Sequence, residues 1–291
     1  MRCEKYLTMA NYKKILVAYD GSASAVTALG VAADLAKADK CWIKVLAVVP
    51  QYSGDLELVG VSKIKETIEG TGQKILIEAK ELARKHDVHI LTNLEQGEPY
   101  ERIVHVADDE RCGLIVLGRS GHSHLERELM GGVTARVIGH TKHNVLVVPE
   151  AAQMSWEHIL VATDESQNAR QAVDLAMKIA EEKAAILSVV SVVSTNDEFI
   201  ALAPDQVAGM VKAKEVFLAG IKQEAASRNI KLVTHVREGE PHEQITKLAG
   251  DINASVIVMG TYGRKGLHRL LMGSVTERTI GYSSCPVLIA H

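Results

Sequence analysis

The stretch KKILVAYDGSASA, residues 13–25, is an apolar run closed by Asp, Gly and Ser, and it returns 144 residues later as EHILVATDESQNA, 157–169. The repetition extends outward from there. GEPYERIVHVADDERCGLIVLGRSG (97–121) returns as GEPHEQITKLAGDINASVIVMGTYG (239–263), and HNVLVVP (143–149) is answered by CPVLIAH (285–291). Self-similarity on this scale makes the chain a tandem of two domains of about 145 residues, an ordinary domain size. We place the first at 10–150 and the second at 155–291, with the join near PEAAQMSW, 149–156.

Each copy alternates short apolar runs with longer stretches of helical period. In the first, Ile15 to Ala18, Ile43 to Val49, His89 to Leu94, Leu114 to Leu117 and Val145 to Val148 read as strands. Between them, 22–38, 61–86, 98–111 and 132–142 read as helices. This order predicts an α/β fold of two tandem open five-stranded parallel sheets flanked by helices, Rossmann-like in their right-handed crossovers. In such sheets ligands sit beyond the carboxyl ends of the strands, where the strand order reverses.

Composition agrees. The 291 residues are 47% hydrophobic but only 4% aromatic, so the cores are built from Val, Ile, Leu and Ala, as buried parallel strands require. A formal net charge of -3 with no basic block argues against a nucleic-acid partner. Cys3, Cys41, Cys112 and Cys285 have no paired spacing, and no apolar run is long enough for a membrane span. We expect a cytoplasmic protein with no membrane partner. The polar opening MRCEKYLTMA precedes the first strand.

The unusual chemistry is gathered in GTYGRKGLHRLLMGS, residues 260–274, between a buried strand and a helix. Gly260, Gly263 and Gly273 let main-chain N–H groups approach a ligand with no Cβ in the way. Ser274-Val275-Thr276-Glu277 reads as an S-x-x-E capping box, and a helix N-terminus favours an anion. Arg264, Lys265, His268 and Arg269 add positive potential. The first copy keeps Gly118, Gly121 and Gly131, with nine residues between the last two in both copies. No GxxxxGK[ST] loop occurs anywhere.

This G-x-x-G-x9-G spacing after the fourth strand, with an Asp closing the first strand and a GEP turn between, resembles the universal stress proteins, here as two domains in tandem. The resemblance covers almost the whole chain. It implies an adenine nucleotide alpha hydrolase-like fold and, as in many family members though not all, a site for ATP. It further implies that Asp164, beside Ala162, accepts hydrogen bonds from the ribose or base, and that Val192 and Met259 frame the adenine. Gly260, Gly263, Gly273, Ser274 and Val275 would hold ribose and phosphates, mostly through backbone N–H groups, with Mg2+ accompanying them.

The matching set in the first copy is Ala18, Asp20, Val48, Leu117, Gly118, Gly121, Gly131, Gly132 and Val133. There Gly132 replaces Ser274 and Ala135 replaces Glu277, which removes a hydroxyl and the capping box together. Glu126 and Glu128 enter that loop, offset in part by His122, His124 and Arg127, and the second copy carries Leu270 in place of Glu128. The second copy departs at Glu165, which stands for Gly21 and is expected to alter the turn beside Asp164. We therefore expect binding chiefly in the second domain.

The expected role is a nucleotide-responsive stress or signalling module. Two other classes stay open: a slow ATPase or nucleotide hydrolase on the same cradle, with His268 as the candidate base, and a nucleotide-free scaffold for a protein partner. Ser22, Ser166 and Ser274 stand at helix starts, where capping is the default use of Ser, and no Ser-His-Asp pattern is visible. His122-x-His124 and His140-x-x-His143 lack a further ligand at metal spacing and read as surface or helix-end histidines. Segments 51–74 and 194–217 match each other poorly and read either as loops that cover the nucleotide ends of the sheets or as simple surface spacers. The short apolar last strands, NVLVVP and PVLIA, offer edges that invite pairing. By resemblance these edges form dimers, so the halves would make an internal pseudo-dimer, and a homodimer of the whole chain is a further expectation.

Overall fold

The computed structural model describes residues 12–51, 61–121, 130–150, 152–263 and 272–291, and the chain divides into two compact units, Met1–Ala151 and Ala152–His291. The first unit runs β1 (Lys14–Ala18), α1 (Ala23–Asp39), β2 (Trp42–Val49), α2 (Val61–Lys85), β3 (Ile90–Gln96), α3 (Pro99–Asp109), β4 (Leu114–Gly118), α4 (Gly132–His140) and β5 (Asn144–Val148). Its strands are parallel and lie in the order β3-β2-β1-β4-β5. The order reverses between β1 and β4, whose Ile15 and Leu114 are in register. Ile15, Leu16 and Val17 are buried, as are Leu114, Ile115 and Val116, because helices cover both faces of the central strands.

Helix α1 shows how the low aromatic content is used. Its buried side is mostly alanine, Ala25, Ala28, Ala32, Ala33 and Ala36, beside Ser24, Leu29, Val31 and Leu35, and the small residues let the helix lie close to the sheet. The Ser22 hydroxyl accepts the Ala25 N–H at 3.3 Å and starts the helix. Lys40, at φ 54°, ends it by returning its N–H to the Ala36 carbonyl.

The second unit runs β6 (His158–Ala162), α5 (Gln167–Lys183), β7 (Ile186–Ser194), α6 (Asp197–Leu202), α7 (Pro204–Ser227), β8 (Lys231–Gly239), α8 (Pro241–Asp251), β9 (Val256–Gly260), α9 (Ser274–Tyr282) and β10 (Val287–Ala290). Its strands are again parallel, in the order β8-β7-β6-β9-β10. The loop expected over 194–217 is a correction: most of it is α6 and the first half of α7. Its turn-forming residues are helix-start residues. The Asn196 side chain caps α6 by accepting the Phe199 N–H at 2.8 Å, and Pro204 opens α7 with Asp205 in the first turn. Of the matching segment 51–74, residues 61–74 belong to α2, and 52–60 lie outside the described residues, as does the opening before Tyr12.

The repeats also differ near the amino-terminal ends of their strands. Lys14 and Lys44 each place an ammonium 2.5 Å from the Glu110 carboxylate. The Lys14 hydrogen bond, then that of Lys44, holds the Glu110 carboxyl down to about 2. In the second unit His158, Ser188 and Ile252 take those three places, and His158 Nε2 lies 2.9 Å from Ser188 Oγ. A second difference is Thr279 of α9, which is fully buried with no hydrogen-bond partner for its hydroxyl among the described residues, where α4 has the buried Val137.

Two outcomes follow. Thr279→Val removes an unsatisfied hydroxyl that costs about 1 kcal/mol or more, so its melting temperature should rise by about 2–4 °C. For Glu110, the folded pKa lies below the unfolded value, so its stabilisation is present at neutral pH and is lost as pH falls from about 4.5 toward about 2. Glu110→Gln should be less stable than the parent at pH 7 by about 1 kcal/mol, the upper range for partly exposed pairs. In denaturant titrations the gap should close as the pH approaches 2.

Candidate functional site

At the strand-order reversal, each unit builds the same turn after its first strand. In the first unit the Tyr19 N–H donates to the Leu46 carbonyl at 2.9 Å, and in the second the Thr163 N–H donates to Val190 at 2.9 Å, which fixes where the chain leaves the sheet. Asp20 Oδ1 then accepts the Ser22 N–H at 3.0 Å, and Asp164 Oδ1 accepts the Ser166 N–H at 3.0 Å. These are Asx turns, which pin one oxygen of each carboxylate. The other oxygen faces the glycine loop: a Cβ built on Gly121 or on Gly263 would stand 2.6 Å from Asp20 Oδ2 or Asp164 Oδ2.

The loops are tied at their bases. The Gly131 N–H donates to the Arg119 carbonyl at 2.9 Å, and the Gly273 N–H to Thr261 at 3.0 Å. Beneath them, the buried Thr134 and Thr276 hydroxyls donate to the Gly118 and Gly260 carbonyls at 3.0 Å. The first turn of α1 is joined to the loop through the Ser22 and Ser24 hydroxyls, both donating to the Ser120 carbonyl. In α5 the donors are Ser166 Oγ and Asn168 Nδ2, at 3.5 and 3.3 Å from the Tyr262 carbonyl. No sequence motif marks Thr134, Thr276, Ser24 or Asn168. The Val-Thr pair recurring at 133–134 and 275–276 is the signal that could have found the two threonines.

The expected residues divide into groups. Asp20 with Gly121 and Asp164 with Gly263 are brought into contact, and Gly131 and Gly273 pack against the same loop backbones. Ala18 and Ala162 end their strands, with Val48 and Val192 on the neighbouring strands, while Leu117 and Met259 are buried just before the loops. Gly118 and Gly260 have a packing role. A Cβ on Gly118 would lie 2.8 Å from Ala25 N, and one on Gly260 2.7 Å from the Asn168 carbonyl group, so the helix starts occupy that space.

The capping box is a correction. The cap of α9 is Gly273, with no side-chain hydrogen bond, and Ser274 is already the first helical residue. Helix α4 begins in the same way on Gly131, so exchanging Ser274 for Gly132 and Glu277 for Ala135 removes no cap. Glu165 also departs from expectation: at φ 71° it takes the same left-handed conformation as Gly21 at 83°, and the turn is kept. Next to Asp20, burial first, then the charges of Glu78 and Asp20, push the Tyr19 hydroxyl above its ordinary range. Thr163 replaces this phenol in the second unit.

His140 Nδ1 lies 2.7 Å from the Arg136 carbonyl, and His143 Nε2 2.8 Å from Asp108. Among the described residues no three His, Cys, Asp or Glu side chains cluster as metal ligands, and no helix is long and apolar enough to cross a membrane. His122, His124, Glu126, Arg127 and Glu128, and likewise Arg264, Lys265, His268, Arg269 and Leu270, lie outside the described residues.

A family model described as the universal stress protein family matches residues 11–149 and again 155–291. The chain belongs to the universal stress protein family. Its similarity to the universal stress protein YxiE of Bacillus subtilis is 33% identity over 151 residues, 47% of this chain and 99% of that protein, so one relative spans one repeat. A crystal structure of a universal stress protein from Archaeoglobus fulgidus covers 95% of both chains with a TM-score of 0.72 at 21% identity, a likeness of fold. A universal stress protein in complex with cAMP is 26% identical over 48% of this chain and 99% of its own, with a TM-score of 0.39.

The packing role of Gly260 gives a test by sign. Gly260→Ala forces a methyl into the first turn of α5 and should destabilise by about 1–3 kcal/mol, as overpacking does. Gly250→Ala, in α8 where an added Cβ meets nothing within 4 Å, should instead stabilise by about 0.5–1 kcal/mol. Paired urea melts read both.

Proposed function

We propose that this universal stress protein binds ATP with Mg2+, chiefly in its second unit, and works as a nucleotide-responsive stress or signalling module. The observation that carries this reading is the Asp164–Gly263 contact. A carboxylate oxygen is held against a loop position where any side chain would displace it, at the ligand end of a parallel sheet. Such a carboxylate suits a sugar hydroxyl. Ala162, Val192 and Met259 line the apolar strand ends on which a base would rest.

Helix α9 supports the phosphate end of the reading. Its glycine cap uses no side chain, so the amides of Ser274 and Val275 and the positive end of the helix dipole are left for an anion. Gly263 and Gly273 keep the loop backbone open to approach. Mg2+ would arrive with the phosphates and keep most of its water, needing few protein ligands. The chemistry the nucleotide supplies is a polyanion whose length distinguishes ATP from its products. The protein would read that length as a difference in affinity between two loop arrangements.

Preference for the second unit rests on the Ser274 hydroxyl, absent at Gly132, and on Thr163 in place of the buried Tyr19. Ala18, Asp20, Val48, Leu117, Gly118, Gly121, Gly131 and Val133 otherwise offer the first unit the same frame, for weaker binding.

Denaturing freshly purified protein and quantifying released nucleotide, followed by titration with Mg2+-ATP, tests the proposal. Gly263→Ala pushes on the Asp164 carboxylate and should weaken the tighter site about 10- to 100-fold, the loss of a hydrogen bond to a charged group. Gly121→Ala should leave that site unchanged. A parent chain that neither carries nor binds ATP would overturn the reading, and the reverse ranking of the two variants would move the site to the first unit.

A further inference from the structure

Seven residues other than glycine have a positive φ among the described residues, and six of them, Lys40, Asp87, Arg111, Ala184, Asn229 and Asn253, follow the ends of helices. Glu165 is the exception: it precedes a helix, at φ 71°, in the turn between Asp164 and Ser166. A side chain in this conformation costs free energy that glycine avoids, and the first repeat does use glycine there. Strain of this kind persists only where something holds it.

The Glu165 backbone is held by the Thr163 hydroxyl, which accepts its N–H at 3.3 Å, and the Glu165 side chain is held by Lys214. Its Nζ lies 2.7 Å from Glu165 Oε1, with the two side chains only 15% and 24% exposed. Lys214 comes from α7, 13 residues before its end, and at the same distance from the end of the counterpart α2 stands Gly72. An added Cβ on Gly72 would lie 2.9 Å from Val49 Cγ1, so α2 docks on its sheet by direct contact. Both members of the pair are therefore glycine in one repeat and charged in the other. Docking the helix does not require the ion pair, since α2 docks without one, and taking two charges out of water is costly.

We infer that Lys214 is a positioning residue for the second site: by holding Glu165 in a left-handed turn it sets the Asp164 carboxylate against the glycine loop. The inference rests on the ATP reading above and deepens it. Asp164 would meet the nucleoside, while the phosphates would meet α9, so Lys214 governs recognition of the nucleoside part alone. Glycine at 165 makes the lysine unnecessary, because glycine adopts the turn without being held.

The test uses the full chain and three proteins: the parent, Lys214→Met, and Lys214→Met with Glu165→Gly. Each is titrated with Mg2+-ATP and with inorganic tripolyphosphate, and the exchange rate of the Ser166 amide, which donates to Asp164, is followed by NMR. Lys214→Met should weaken ATP about tenfold, leave tripolyphosphate unchanged and speed Ser166 exchange. Adding Glu165→Gly should restore both ATP affinity and exchange protection. ATP binding unchanged in Lys214→Met, an equal loss for both ligands, or no rescue by glycine would overturn the inference. A parent that binds no ATP refutes the proposed function instead. Ser166 exchange then decides the positioning, and an unchanged rate in Lys214→Met counts against it.

Discussion

Between the end of β9 and the first turn of α5 there is no room for a side chain, since a Cβ on Gly260 would come within 2.7 Å of the Asn168 backbone. The same closeness joins Gly118 to α1. Much of the site follows from it. With the helix start pressed on the neighbouring strand, the Asx turn that opens the helix lies under the glycine loop. The Ser166 and Asn168 side chains then reach the Tyr262 carbonyl. The carboxylate is thereby brought to the loop by backbone packing.

The two repeats act as controls for each other. Where geometry is shared and residues differ, the residues are exchangeable solutions to one requirement. Tyr100 of α3 packs against His140 of α4 at 5.0 Å between ring centroids, and in the second unit His242 and Tyr282 make the contact at 5.6 Å with the two residue types swapped. The requirement there is a pair of rings between two helices. At the Asx turn it is a carboxylate and a positive φ, met by Asp20 with Gly21 or by Asp164 with Glu165. Residues that differ with no shared geometry, such as Glu110 with its lysines, mark where the units have separated.

Much of this was legible in the sequence because the repeat is written at fixed offsets, so strands such as Leu114–Gly118 and Val256–Gly260 stand out twice. Ser22 and Ser166 cap their helices as their positions suggest. Other cues had the right letters and the wrong register. S-x-x-E at 274–277 resembles a cap, but the loop closes one residue earlier on Gly273. Pro204 and Asn196 start helices where their composition suggested a loop. The Lys214–Glu165 pair was beyond reach, because 49 residues separate its members and the link is made only by tertiary packing.

The register of β1 against β4 has a consequence for synthesis. Ile15 must wait for Leu114, about 100 residues further along, before the sheet can be completed on that side. At translation rates of about 5–20 residues per second, the nascent chain exposes an unpaired, mostly apolar strand edge for roughly 5–20 s. That interval is set by the ribosome and is indifferent to the stability of the finished fold. β6 and β9 repeat it over a similar span, Ile159 to Val256. Duplication thus gives the chain two brief exposures in succession, one for each repeat.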